Sequence, residues 1–145
     1  MTTLQDVVDI AQRDQYLAVV STLRTDGMIQ SSVVNAGVLA HPVTGDDLVG
    51  FVTYGRTKLT NLRARPQVSI TFRAGWEWAT AEGRAELIGP DDPSPDSDPE
   101  GVRLLLRSVF TAAGGTHDDW DAYDVAMAEQ RRTAVLVSVS RLYGN

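Results

Sequence analysis

Between Tyr16 and Ser140 the chain carries six short runs rich in β-branched and aromatic residues, most of them separated by only a few turn-forming residues. Spacing of this kind dictates antiparallel pairing, because a parallel pair needs a crossover of about a dozen residues or more. "YLAVVSTL" (Tyr16 to Leu23) suits a buried strand. "RTDGMIQSSVV" follows it as a hairpin, with Asp26-Gly27 as the turn signal. "LVGFVTY" (Leu48 to Tyr54) is a third strand. "QVSITFR" (Gln67 to Arg73) is a fourth, with Val68, Ile70 and Phe72 in alternation. Ala74-Gly75 turns the chain into "WEWATAEGRAELI", a long fifth strand with Trp76, Trp78 and Thr80 on one face and a bend at Gly83. "TAVLVSVS" is the sixth.

Helical spacing fills the gaps. Leu4, Val7, Val8 and Ala11 share one face of an N-terminal helix. "RTKLTNLRAR" places Leu59 and Leu62 three apart before Pro66 stops it. A helix is expected over about Glu100 to Thr111. Another opens with Thr116 as its cap, with Asp118 and Asp119 in the first turn and Arg131 and Arg132 closing the last. Trp120, Tyr123 and Met127 form its apolar stripe. The prediction is a mainly β, α+β protein: a six-stranded, closed or nearly closed antiparallel barrel with packed helices. At 145 residues, one domain spanning 1–145 is expected.

Charge is distributed unevenly. The net charge is −6, yet the window from Leu48 to Trp76 has no Asp or Glu and contains Arg56, Lys58, Arg63, Arg65 and Arg73. Lys58 is the only lysine. The window contributes +5, leaving −11 on the remainder. An acidic body is ill suited to nucleic acid, whose non-specific affinity comes from phosphate neutralisation. A local basic site suits one small anion better. "ELIGPDDPSPDSDPEG" (Glu86 to Gly101) reads as an exposed connector.

The chain lacks cysteine, which excludes disulfides and thiol chemistry and fits a cytoplasmic protein. Its first residues show no signal-peptide pattern, and no apolar run approaches the roughly 20 residues of a membrane helix. No metal site is expected. His41 and His117 are far apart and read as surface residues, and Asp91 to Asp98 lacks the glycine and terminal glutamate of a calcium loop.

Gly55 to Asn61 reads as a strand end, a glycine and a helix start. A helix N-terminus offers unpaired N–H groups and partial positive charge to a phosphate. Arg56 adds a bidentate fork and Lys58 a point charge. The same residues read equally well as a surface helix whose cations pair with the acidic remainder.

"RTKLTNLRARPQV" (Arg56 to Val68) resembles the cofactor segment of the pyridoxamine 5'-phosphate oxidase-like, FMN-binding split-barrel superfamily, and most closely its branch that uses the deazaflavin coenzyme F420. "VVSTLRTDG" (Val19 to Gly27), "GWEWATAEGRAEL" (Gly75 to Leu87) and the C-terminal stretch from His117, with Trp120-Asp121, Tyr123 and Tyr143-Gly144, extend the resemblance over nearly the whole chain. It implies a split-barrel homodimer with two sites at the interface. Arg56 and Lys58 would hold the cofactor phosphate, with Thr57 and Asn61 assisting. Ser32, Asn35 and Thr53 would lie beside the ring system, and Trp76 would come from the partner chain. Arg63 or Arg65 would serve an acidic oligoglutamate tail, a use for the excess of positive charge that FMN would not need. One departure argues against vitamin B6 oxidation: Arg141 is the only charge after Arg132, so a second phosphate site is missing there.

The resemblance implies an F420-dependent oxidoreductase that passes hydride to an electron-poor small molecule. Alternatives are a non-catalytic F420-binding protein or an FMN-binding oxidoreductase. No catalytic acid or base is evident; Tyr54, Tyr123 or solvent could supply a proton.

Overall fold

The computed structural model describes residues 1–95 and 98–145. Six strands, β1 (Leu17–Leu23), β2 (Ile29–Ala40), β3 (Asp47–Thr53), β4 (Gln67–Ala74), β5 (Glu77–Ile88) and β6 (Thr133–Gly144), close into a barrel in the order β1-β2-β3-β6-β5-β4. Every neighbouring pair is antiparallel. Four helices accompany them: α1 (Leu4–Arg13), α2 (Arg56–Ala64), α3 (Pro99–Ala112) and α4 (Trp120–Glu129). The expected six-stranded barrel with packed helices is what forms. None of the described helices is long and apolar enough to cross a membrane.

Alternation along β1 and β4 sends Ala18, Val20, Val68, Ile70 and Phe72 into the barrel. Val7, Ile10 and Ala11 of α1 join that core, as do Leu59 and Leu62 of α2. The inward face of α1 thus includes Ile10, while Val8 of the expected stripe is only half-buried. A second core lies outside the barrel wall. There Leu105, Leu106 and Val109 of α3 and Tyr123 of α4 pack on Leu48, Ala134 and Leu136. β3 and the first half of β6 are therefore buried on both faces, which explains why they read as unbroken apolar runs rather than alternating ones.

Glycines permit two close approaches. A Cβ on Gly37 would lie 2.1 Å from the Ala112 carbonyl oxygen, so only glycine lets the end of α3 rest on β2. A Cβ on Gly83 would lie 1.9 Å from the Ser138 carbonyl oxygen, where β5 carries the irregularity expected as a bend. The Asp26-Gly27 turn forms, with Gly27 at φ +83° and the Asp26 carboxylate accepting from the Met28 N–H at 3.0 Å.

Three expectations need correction. The last helix opens at Trp120, not near Thr116, because Asp119 caps it by accepting from the Ala122 N–H at 3.1 Å. It ends at Glu129, and Arg131 has a left-handed φ of +51°, so Arg131 and Arg132 lie beyond the last turn. Trp76 belongs to the β4–β5 turn rather than to β5. The acidic connector is shorter than expected, since β5 runs to Ile88 and α3 begins at Pro99. Asp96 and Ser97 of that connector lie outside the described residues.

Candidate cofactor cleft

α2 is held by burial of Leu59 and Leu62, which leaves its first turn, Arg56 to Lys58, at the surface. Gly55 occupies the N-cap and supplies no side-chain acceptor. The leading N–H groups keep their donor capacity and the positive end of the helix dipole, the arrangement that favours an anion.

Lys58 folds back over this turn. Its ammonium donates to the Ser32 hydroxyl on β2 at 2.9 Å. Gly55 leaves room for it: a Cβ there would lie 3.0 Å from Lys58 Nζ and 3.3 Å from the Thr53 hydroxyl. The Gly55 N–H donates to that hydroxyl at 3.0 Å, which ties the end of β3 to the start of α2. Burial holds the Lys58 pKa below the usual lysine range.

These groups border a cleft of about 610 Å³, within the roughly 300–1,000 Å³ of small-molecule sites. Asn35, Thr53, Gly55 and Lys58 line one part. Val109, Phe110, Tyr123 and Met127 line another, with Tyr54 and Arg132 between strand ends. Among the described residues the lining includes no Asp or Glu. Asn35 is oriented by donating to the Gln15 carbonyl at 2.8 Å.

The basic window divides. Lys58 enters the cleft, and exposed Arg56 and Thr57 stand beside it in the same helical turn. Arg56 has no hydrogen-bond or ion-pair partner among the described residues. Arg63 instead makes a bidentate pair with Asp92 at 2.7 and 2.6 Å. Arg65 donates to the Leu23 carbonyl at 2.9 Å. Asn61 is 5% exposed and donates to the Thr22 hydroxyl at 3.0 Å, inside the protein. Trp76 is 93% exposed and does not line this chain's cleft. The surface-pairing reading of the window thus holds for Arg63, while Lys58 lines the cleft.

Arg132 and Phe110 escaped the sequence reading as site residues. The Arg132 guanidinium lies over the Tyr54 ring, 3.9 Å from its centroid. Pairing of Thr53 with Thr133 at the ends of β3 and β6 brings the two together. The signal existed only as two polar residues flanking two apolar runs, whose pairing is not written in either run. Tyr123 is a poor proton donor here: its hydroxyl donates to the Leu106 carbonyl at 3.0 Å, and burial pushes its pKa up to about 12.

Residues 4–117 match the sequence model of pyridoxamine 5'-phosphate oxidase. The chain belongs to that family. Members of the pyridoxamine 5'-phosphate oxidase family include FMN-binding oxidoreductases, and the barrel found here has the fold of its solved structures. A conserved hypothetical protein from Mycobacterium tuberculosis superposes with a TM-score of 0.69 at 18% identity, over 99% of this chain and 84% of the other. A protein described as an F420 reductase superposes with a TM-score of 0.59 at 15% identity, over 90% and 91%. A pyridoxamine 5'-phosphate oxidase-related, FMN-binding protein from Nostoc punctiforme gives 0.62 at 14% identity, over 97% and 82%. At these identities the likeness is one of fold.

Proposed function

We propose that this chain is an oxidoreductase that binds the deazaflavin F420 in the cleft and reduces an electron-poor small molecule. The observation that carries the reading is Lys58: a half-buried ammonium, bonded to Ser32, at a helix N-terminus without a side-chain cap, in a cleft whose described lining residues include no acid. Such a group invites a phosphate, because a partly desolvated cation gains more from an anion than a hydrated one does. Arg56 and Thr57 in the same turn add donors. Asn35 and Thr53 supply polar edges to a ring system, and Val109 and Phe110 an apolar wall. The fold of an F420 reductase and the sequence resemblance support deazaflavin as the group held.

When bound, the cofactor supplies hydride, two electrons at a time; the protein supplies binding, orientation and shielding. Lys58 and the α2 N-terminus fix the phosphate end. Tyr123 closes the inner wall with its proton committed to Leu106, so the proton for the acceptor comes from solvent or Tyr54.

The reading includes a homodimer. Leu17, Val19, Ile29 and Val33 are exposed on the outer face of β1 and β2, where Val19 pairs with Val33. Val33 also lines the cleft, so a second copy on this face would complete the site. Trp76, projecting from the β4–β5 turn, is the residue proposed to reach the partner's cleft.

A second reading, FMN as the cofactor, is favoured by one observation. Arg63 and Arg65, assigned to an acidic tail, are already engaged by Asp92 and Leu23. Fluorescence titration with F420 beside FMN decides. Tighter F420 binding supports the deazaflavin reading; preference for FMN replaces it, and binding of neither removes it.

A further inference from the structure

Four arginines are partly buried, Arg65, Arg103, Arg107 and Arg132, and Arg65 is spent on the Leu23 carbonyl at 2.9 Å. Arg13, Arg24, Arg63, Arg103, Arg107 and Arg131 each face a carboxylate. Among the described residues Arg132 does not: the titratable groups acting on it are Tyr54 and Tyr123. Its Nε donates to the Gln130 side-chain oxygen at 2.8 Å, and one face of its guanidinium is covered by Tyr54. Both contacts fix its orientation. Neither neutralises it. Its terminal nitrogens have no partner among the described residues. Burial lowers its pKa, the same sign and cause as for Lys58 in the same cleft.

Position adds to this. Arg132 and Met127 line the cofactor cleft and also a second cavity of about 540 Å³ between α3, α4 and the connector before α3. Val102, Leu106 and Ala128 make that cavity mostly apolar, and the Asp124 carboxylate on its wall is already held by Arg103 and Arg107.

Resting on the reading of the cleft above, we infer that Arg132 determines substrate specificity: it receives the carboxylate of the acceptor, whose apolar body occupies the space shared by the two cavities. A carboxylate matches the single planar fork that Arg132 offers: the other cations on the second cavity are already paired, Arg103 with Glu100 and Asp124 and Arg131 with Asp91, and the α3 N-terminus there is capped by Asp98. Lys58 and Arg132 then divide the labour. The first holds the cofactor's anion, the second the acceptor's.

Isothermal titration calorimetry with trans-cinnamate and its neutral isostere cinnamamide tests this, on F420-loaded and unloaded protein. The wild type should bind cinnamate at least tenfold more tightly than cinnamamide. Arg132→Gln should abolish that preference while the F420 dissociation constant stays within threefold, and Arg132→Lys should restore part of it. The proposal is overturned by a wild type without the preference, by a preference that survives Arg132→Gln, or by a tenfold loss of F420 affinity in that variant, which would assign Arg132 to the cofactor. If the wild type does not bind F420, the cofactor reading falls by itself. The cinnamate preference of unloaded protein then still decides for or against Arg132.

Discussion

The Lys58 ammonium and the Ser32 hydroxyl meet at 2.9 Å across 26 positions of sequence, and this bond joins the first turn of α2 to β2. It holds the one lysine over the cleft instead of leaving it in solvent. Replacing Lys58 by Ala should weaken cofactor binding by about 1.5–3 kcal/mol, the range for a hydrogen bond to a charged group. Ser32→Ala should cost less, about 0.5–1.5 kcal/mol, since it removes only the group that orients the ammonium. Fluorescence titration reads both losses. Equal affinity in a folded Lys58→Ala protein would exclude Lys58 from the site.

The same lysine carries a stability cost that points the other way. Burial lowers its folded pKa below 10.5, so the unfolded chain binds more protons between that lowered value and 10.5. Stability contributed by this group therefore rises with pH through that window and is lowest at neutral and acid pH. Lys58→Met should leave the cofactor-free protein at least as stable at pH 7 as the wild type, although it binds cofactor less well. Thermal melts at pH 7 without ligand check this; a clear drop in melting temperature would mean that the Ser32 bond outweighs the desolvation.

Asn61 was expected beside the phosphate, and it sits on the same helix as Lys58. Its amide is buried and donates to Thr22 at 3.0 Å. Asn61→Ala should lower stability by about 0.5–1.5 kcal/mol through loss of this buried hydrogen bond, since the Thr22 hydroxyl keeps its bond to the Gln30 side chain, with little change in cofactor affinity. Denaturant unfolding and the cofactor titration together separate this from a direct contact.

The β1–β2, β2–β3 and β4–β5 pairings were legible because short connections there leave an antiparallel neighbour as the outcome, Asp26-Gly27 being the clearest instance, whereas β1–β4, β3–β6 and β5–β6 come only with barrel closure. The ends of α4 were not legible. Thr116 and Asp119 are both good caps, and choosing between them depends on the loop around Gly114 and Gly115. In the site, Lys58 was visible as a lone lysine in an acid-free window. The fate of Arg63 was not, because Asp92 is 29 positions away and only the closed barrel brings it near. Arg132 was hidden for the same reason: its partner Tyr54 belongs to a strand end that only the β3–β6 pairing defines.

Asp124 joins α4 to α3 through Arg103 and Arg107. The two guanidiniums, Arg107 foremost, hold its pKa near 2, against 3.8 unperturbed. A lowered carboxylate pKa contributes stability that is complete above 3.8 and is lost as pH falls towards 2. Asp124→Asn should therefore destabilise the protein by about 1.5–3 kcal/mol at pH 7, the range for charge-assisted hydrogen bonds, and flatten the fall in stability between pH 4 and 2. Urea titrations across that range are the check. An unchanged acid profile would assign the acid sensitivity to other carboxylates.

Val19 offers the cleanest test of assembly. It is 42% exposed, pairs with Val33 on the outer face of the sheet and does not line the cleft. A charge there does not line the proposed phosphate site, but it would have to be buried if a second copy covers that face, and an unpaired buried charge is costly. Val19→Arg should convert a dimeric wild type to a monomer and weaken cofactor binding tenfold or more, with the thermal melt of the barrel retained. Sedimentation velocity and the fluorescence titration measure the two effects on one sample. A monomeric wild type that binds cofactor tightly would show that one chain suffices for the site, and would leave Trp76 without the cross-chain role proposed for it.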